Sequence, residues 1–375
     1  MSGARLVFAV PGDPLQRTGG YIYDRRVAAE LGARGWRVEA LRLPDGFPLP
    51  DGAAMVEAER AFAGLEQGSL VLVDGLAWGA LPEVAEAHGA VLRIVALVHH
   101  PLALEAGLPP GAAGHLRSAE RRALAVARRV IATSETTAET LAQDYGVPVE
   151  RLAVAPPGVD AMPEAKGSGP GRALQILAVG SVIPRKDFTA LVRALAGLRR
   201  LPWKLTIAGS LERSEAAVAD LFITIAETGL ADRVELAGEL SPRALAAAWR
   251  GADLFVSASS HEGYGMALAE AVASGLPVVA VDGGAVGSWL PDDAAILVPP
   301  HRPQALERAL LAALEDAPLR RRMREGALAA RARLPSWKET GRLIELALLR
   351  ALEDELAEEP PSGDAWSAPR SARGE

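Results

Sequence analysis

A chain of 375 residues, 49% of them apolar, carries enough core for two ordinary α/β domains and has none of the composition of a disordered protein. The formal net charge of −7 gives no reason to expect a nucleic-acid partner, and the absence of cysteine excludes a disulfide framework or a thiolate metal site. The opening MSGARLVFAVPGD lacks the features of a secretory leader, and no apolar run is long enough to cross a bilayer, so a cytoplasmic location is expected.

Short apolar runs alternate with helical patterns along the whole chain, which is the signature of parallel sheets built from βαβ units. In the first half, strands are predicted at Leu6–Val10, Val38–Leu43, Leu70–Val73, Leu92–Val98, Val130–Thr133 and Leu152–Ala155. Each is apolar on both faces, as required of a sheet covered by helices on both sides. After the first strand, Thr18, Gly19 and Gly20 precede a helical run from Tyr21 to Arg34, where a glycine pair can present backbone N–H groups to an anion. An ordinary turn explains the pair equally well.

His99 and His100 close the fourth strand. Neighbouring strand residues point to opposite faces, so the two are not expected to hold one metal ion. No HExxH, no DxD after a strand and no paired His/carboxylate cluster stands out in the sequence, and no metal or other cofactor is expected. Arg117, Arg121, Arg122, Arg128 and Arg129 form a basic cluster. It reads first as a solvated helix face and second as an acceptor contact or a peripheral contact with a membrane surface. Trp78 and Trp249 are read as packing.

Residues 163–172, PEAKGSGPGR, are turn-rich and polar and are read as a linker between a first domain, 1–162, and a second, 173–335. A second strand series is predicted at Ile176–Val179, Leu205–Ala208, Val234–Leu236, Leu254–Ser257, Pro277–Val281 and Ile296–Val298. Phe188, Leu191, Val192, Leu195 and Leu198 recur at the spacing of one buried helix face. Near the end, residues 336–357 form an amphipathic helix, and 358–375 read as a disordered tail.

The chemistry concentrates in two segments of the second half. In the loop GSVIPRKD, from Gly180 to Asp187, Arg185 and Lys186 set positive charge at the C-terminal edge of a sheet, where it suits a diphosphate. The stretch VSASSHEGYGMALAEAVASGLPVVA, from Val256 to Ala280, reads as strand, glycine-rich turn, helix and strand. Its helix N-terminus suits a phosphate, and Gly263 and Gly265 let an anion approach the backbone. Glu262 and Glu270 flank this cradle. A carboxylate is repelled by phosphate but bonds well to hydroxyls, so two of them suggest a ligand with sugar at both ends of a diphosphate, which is a nucleotide sugar.

Glu262 and Glu270, with seven residues between them, resemble the E-x7-E motif of family-4 retaining glycosyltransferases of the GT-B fold, and VGSVIPRKDFTALVRAL from Val179 to Leu195 resembles that family's VGRLxPxKG segment. The resemblance covers most of the second half and touches the first half lightly. It implies two doubly wound Rossmann-like domains facing a cleft, with the last helix crossing back to the first domain. It further implies that Lys186 holds the donor diphosphate, Glu270 the ribose, and Glu262 with His99 the transferred sugar. The backbone of Gly263, Tyr264, Gly265 and Met266 lines the sugar phosphate, and the loop of Gly19 and Gly20 faces it from the first domain. Ser181 stands where the family carries an arginine; Arg185 compensates, or the Ser181 hydroxyl and the Gly180 backbone suffice, or activity is weak.

The expected activity is transfer of a hexose from a nucleotide diphosphate sugar, UDP-linked before GDP-linked, with retention at the anomeric carbon. By resemblance the route is a metal-independent front-face displacement, to a saccharide, lipid or small-molecule acceptor. Two rivals share the fold: a nucleotide-sugar-binding protein without transferase activity, which Ser181 favours, and a hydrolysing nucleotide-sugar epimerase, which needs acid/base groups near the sugar. A dehydrogenase is disfavoured because the first strand leads into PGDPLQRTGG and not GxGxxG.

Overall fold

The computed structural model describes residues 3–354. The expected tail at 358–375, and the last residues of the helix expected at 336–357, lie outside the described residues. Twelve strands form among the described residues: β1 Arg5–Pro11, β2 Arg37–Leu43, β3 Leu70–Asp74, β4 Arg93–Val98, β5 Arg129–Ala132, β6 Leu152–Val154, β7 Leu174–Val179, β8 Trp203–Ala208, β9 Val234–Gly238, β10 Leu254–Ser257, β11 Val278–Val281 and β12 Ala295–Val298. Every apolar run read as a strand is one.

The strands assemble into two six-stranded sheets, ordered β2-β1-β3-β4-β5-β6 and β12-β11-β10-β7-β8-β9, with parallel pairing throughout. This is the GT-B arrangement of two Rossmann-like lobes. The order of each sheet reverses once, at β1/β3 in the first and β7/β10 in the second. Connections leave in opposite directions at such a point and open a crevice beyond the strand ends, where ligands bind in doubly wound sheets. The loops after β1, β3, β7 and β10 therefore mark the floor of the cleft before any side chain is considered.

Each lobe has cores on both faces of its sheet. Phe188, Leu191, Val192 and Leu195 of the helix Phe188–Ala196 are buried against the second sheet. Trp78 is fully buried with its Nε1 donating to the Ala123 carbonyl (3.0 Å), and Trp249 stacks on Phe255 at 5.3 Å; both are packing residues.

The helix Trp337–Glu353 returns to the first lobe. Trp337, Ile344, Ala347, Leu348 and Ala351, at helical spacing, join the core formed by Leu6, Phe8, Leu72, Val95 and Ile131. Burial of Ile344 and Leu348 alone is worth roughly 1.5–3 kcal/mol each. Ser336 caps this helix by accepting from the Glu339 N–H, and Thr340 Oγ1 donates to the Pro156 carbonyl (2.7 Å), tying it to the outgoing crossover. Residues 163–172 are irregular, and Ala165 is packed in the core of the second lobe.

Candidate functional site

Gly180 and Ser181 leave the end of β7 and remain paired to the end of β8, with Gly180 N–H donating to the Ala208 carbonyl and Val182 N–H to that of Ser210, both at 2.9 Å. A short 3-10 turn, Pro184–Lys186, then places both cations, and Asp187 ends it in the left-handed region at φ 44°. An aspartate tolerates that conformation better than most residues. Its side chain accepts from the Ala190 N–H (3.2 Å) and so caps the helix Phe188–Ala196. The PRKD sequence is thus a turn and a helix cap that fix where Arg185 and Lys186 point.

Both cations converge on Glu262, which lies beyond the end of β10. Lys186 Nζ stands 2.5 Å from Glu262 Oε1, and Arg185 Nη1 stands 3.4 Å from Oε2. Burial alone would raise the Glu262 pKa, but Lys186 and Arg185 overcome it and hold the carboxyl down at about 2. Gly265, at φ 92°, makes the turn into the helix Met266–Ala273, whose first N–H groups face the same space. Trp289 stacks on Tyr264 at 4.9 Å and donates to its carbonyl (2.7 Å), which stiffens the turn. Glu270, one turn further along, is pushed up to about 7, by burial first and by Asp160 second.

The first lobe closes the cleft. Thr18, Gly19 and Gly20 open the helix Gly19–Ala33, and Gly19 lies against Met266 of the second lobe. Gly263 packs so closely on the His99 carbonyl that an added Cβ would overlap it. Arg185 also bridges the lobes. Its Nε bonds Glu105 Oε1 (3.2 Å) while its Nη1 donates to the His261 carbonyl (2.8 Å). Glu105 in turn accepts from His100 Nε2 at 3.1 Å. Burial opposes ionisation of Glu105, yet His100 and Arg185 bring its pKa to about 2. His261 goes the other way: burial, His100 and Arg185 lower it to about 4.

All thirteen residues singled out in the sequence line this one cleft of about 350 Å3: Gly19, Gly20, His99, Gly180, Ser181, Arg185, Lys186, Glu262, Gly263, Tyr264, Gly265, Met266 and Glu270. Several further residues were not legible. Arg213, after β8, lines the cleft near Ser181 and hydrogen-bonds Gln16 of the first lobe; Arg17 donates to the Leu240 carbonyl at 3.2 Å. Glu105 follows a proline-leucine turn that carries no motif. The sequence also showed no His/carboxylate cluster, whereas the fold makes one. Asp24, Asp74 and His99 each bring a ligand-type atom within 4.8 Å of the others, because the helix after β1 and the ends of β3 and β4 adjoin. Positions so far apart in sequence give no spacing signal.

His99 and His100 diverge as expected, one toward Asp24 and the other toward Glu105. In the basic cluster, Arg122 pairs with Glu83 and Glu86, Arg117 with Asp144, and Arg129 with Asp354. The half-exposed Arg117 and Arg122 suit the reading as a solvated helix face; Arg129 instead opens β5 with its side chain 17% exposed. Among the described residues, no helix is long and apolar enough to cross a membrane.

A family profile described as Glycosyl transferases group 1 matches residues 164–329, and one described as Glycosyltransferase Family 4 matches 22–162. The two abut at the crossover. A D-inositol 3-phosphate glycosyltransferase of Kineococcus radiotolerans is 30% identical over 282 residues, 68% of this chain and 64% of that protein. One from Nocardia farcinica is 34% identical over 59% of this chain and 52% of its own length. The chain thus spans about half to two thirds of the length of these relatives. An MMP alpha-(1->4)-mannosyltransferase of Mycolicibacterium hassiacum is 29% identical over 73% of this chain and 68% of its own. Among solved structures, a sucrose-phosphate synthase from Thermosynechococcus elongatus superposes with a TM-score of 0.78 at 21% identity, over 93% of this chain and 99% of that one. Anabaena HepE in complex with UDP and glucose gives 0.72 at 16% identity, over 92% and 99%. These likenesses carry the fold.

Proposed function

This chain belongs to the family-4 glycosyltransferases of the GT-B fold, and we propose that it moves a hexose from a nucleotide diphosphate sugar to a hydroxyl acceptor with retention at the anomeric carbon. The observation that carries the reading is the Lys186–Glu262–Arg185 cluster at the mouth of the helix Met266–Ala273. It brings the diphosphate-binding charge of the loop after β7 against the glycine-rich turn after β10, which supplies the unpaired backbone N–H groups and the hydroxyl-binding carboxylate. A UDP-linked donor is favoured because the fold neighbour HepE binds UDP and glucose; GDP-mannose is the other donor considered. The named activities of the relatives favour a small polar acceptor over a lipid.

The donor lies with its ribose at Glu270, its diphosphate between Lys186, Arg185 and the N–H groups of Gly263 to Met266, and its sugar between Glu262 and His99. In the front-face route the anomeric C–O bond to the diphosphate breaks and the acceptor oxygen bonds to the same face. The acceptor proton passes to the departing diphosphate oxygen. Catalysis is then positioning plus charge stabilisation, supplied by side chains without a metal. Arg213 and Arg17 supply the charge that Ser181 does not.

A hydrolysing epimerase is the second reading, and the Asp24–Asp74–His99 cluster gives it the acid/base groups it needs. One experiment separates the two: incubate the chain with UDP-glucose or GDP-mannose, alone and with inositol phosphate or sugar acceptors, in EDTA. Product formed only with acceptor, and α-linked by NMR, upholds the transferase. Epimer or free sugar from donor alone overturns it, and so does binding without product across the whole acceptor panel.

A further inference from the structure

We propose that Asp24 and Asp74 form a proton-sharing carboxyl pair that fixes the ring and charge of His99 where the cleft receives the transferred sugar. Both aspartates are positioning residues, and the inference rests on the reading of the cleft as a glycosyl-transfer site. Neither aspartate belongs to a motif, yet both are almost wholly buried, at 3% and 2% exposure.

Asp24 Oδ1 bonds His99 Nε2 at 3.2 Å, which leaves Nδ1 as the ring nitrogen free for a ligand. Asp24 Oδ2 is buried and finds no donor among the described residues. A buried acceptor left unpaired costs about 1–3 kcal/mol. Asp74 accepts from the Leu76 N–H (2.8 Å) and lies beside Asp24. Two carboxylates so close cannot both ionise cheaply in a buried site. Burial and Asp24 raise Asp74 to about 7, so it holds a proton up to neutrality and is the donor available to Asp24.

The pair then carries one negative charge, which an imidazolium balances. Burial opposes charge on His99, but Asp24 and Asp74 outweigh it and its pKa is raised. The other titratable groups near this trio are Tyr21, Tyr23, His100 and Arg213. Tyr23 packs edge-on against the ring at 5.2 Å but gives its hydroxyl to the Ala155 carbonyl (2.8 Å), so it donates to neither aspartate. Gly20 completes the seat, since a Cβ there would come within 3.3 Å of His99 Cδ2.

The test is an NMR pH titration of the His99 imidazole nitrogens in the full chain, free of nucleotide and treated with EDTA, for wild type, D24N and D74N. Wild type is expected to titrate above the free-histidine value of ~6.5, with a second inflection near neutrality from the carboxyl pair. D24N is expected to bring the midpoint below ~6.5. D74N, whose amide still donates to Asp24, is expected to erase the second inflection while His99 keeps its ring orientation. In donor turnover, D24N should lose at least ~10-fold in kcat with UDP binding unchanged, the loss expected when positioning in the transition state is removed. A wild-type midpoint at or below ~6.5, or one that D24N leaves in place, overturns the proposal. Broadening of the His99 signals by micromolar manganese also overturns it, in favour of a cation site. If D24N does not fold, D74N decides. The titration is read without substrate, so failure of the transferase reading would appear only in the turnover assay.

Discussion

Lys186 Nζ lies 2.5 Å from Glu262 Oε1, so the cation that suits the donor diphosphate is held, before donor arrives, by the carboxylate that suits its sugar. Binding of the diphosphate must redistribute Lys186 between two anions. Lys186→Ala is expected to weaken UDP-sugar binding by ~10- to 100-fold, the loss of a charge-assisted contact of about 1.5–3 kcal/mol. It should also raise the Glu262 pKa. Titration calorimetry with UDP-glucose checks the first, and unchanged affinity would remove Lys186 from the site.

Glu270 titrates near 7, and only its ionised form accepts from both hydroxyls of a ribose. Nucleotide affinity should therefore rise between pH 6 and 8, and Glu270→Gln should bind about tenfold more weakly with a flat profile. The stability effect has the opposite sign. A carboxyl whose folded pKa is raised binds its proton more tightly when folded, so stability is lost as pH climbs from about 4.5 to about 7. Urea unfolding at pH 8 should find Glu270→Gln more stable than wild type, by roughly 1–3 kcal/mol.

Arg185 joins the lobes through Glu105, whose pKa of about 2 works in reverse. Its contribution is present above the unfolded value of 4.5 and lost as pH falls toward 2. Glu105→Gln should loosen the bridge already at pH 7, seen as a larger radius of gyration in small-angle scattering with each lobe still folded. An unchanged radius would show that other contacts hold the lobes together.

Gly263 touches the His99 carbonyl across the cleft, so Gly263→Ala must push the lobes apart. Its activity should fall by at least ~100-fold while its urea midpoint moves little, because the contact lies between cores and not within one. A large stability loss would mean that the substitution damages the second lobe itself.

Ser181 lacks the charge that Arg213 brings from the neighbouring loop. Arg213→Ala should weaken UDP binding several-fold, and Ser181→Arg should recover it in the double variant. Failure of that rescue would separate the two positions.

The fold was legible because a parallel sheet covered on both faces needs near-continuous apolar strands, and runs such as Ile176–Val179 have no other use. The second-lobe site was legible because its groups fall in two contiguous segments, Gly180 to Lys186 after β7 and Glu262 to Glu270 after β10. The first-lobe site was legible only at Gly19, Gly20 and His99. Asp24, Asp74 and His99 meet through the sheet order β1-β3-β4, and a single sequence carries no trace of that juxtaposition. The register of the lobes, which pairs Arg185 with Glu105 and Gly263 with His99, was equally hidden.

The return of Trp337–Glu353 to the first lobe has a consequence for biosynthesis. Ile344 and Leu348 fill the face of the first sheet formed by Leu6, Leu72 and Val95. That sheet is translated early, and Tyr23, Val27 and Leu31 of the helix Gly19–Ala33 cover part of this face, but the rest stays open until the last helix leaves the ribosome. The second lobe has its own complete cores and can fold while the first waits. A nascent chain halted before Trp337 therefore exposes the part of the apolar sheet face that Ile344 and Leu348 would cover, a natural substrate for chaperones, and residues 1–162 expressed alone should aggregate, whereas the second lobe alone should not.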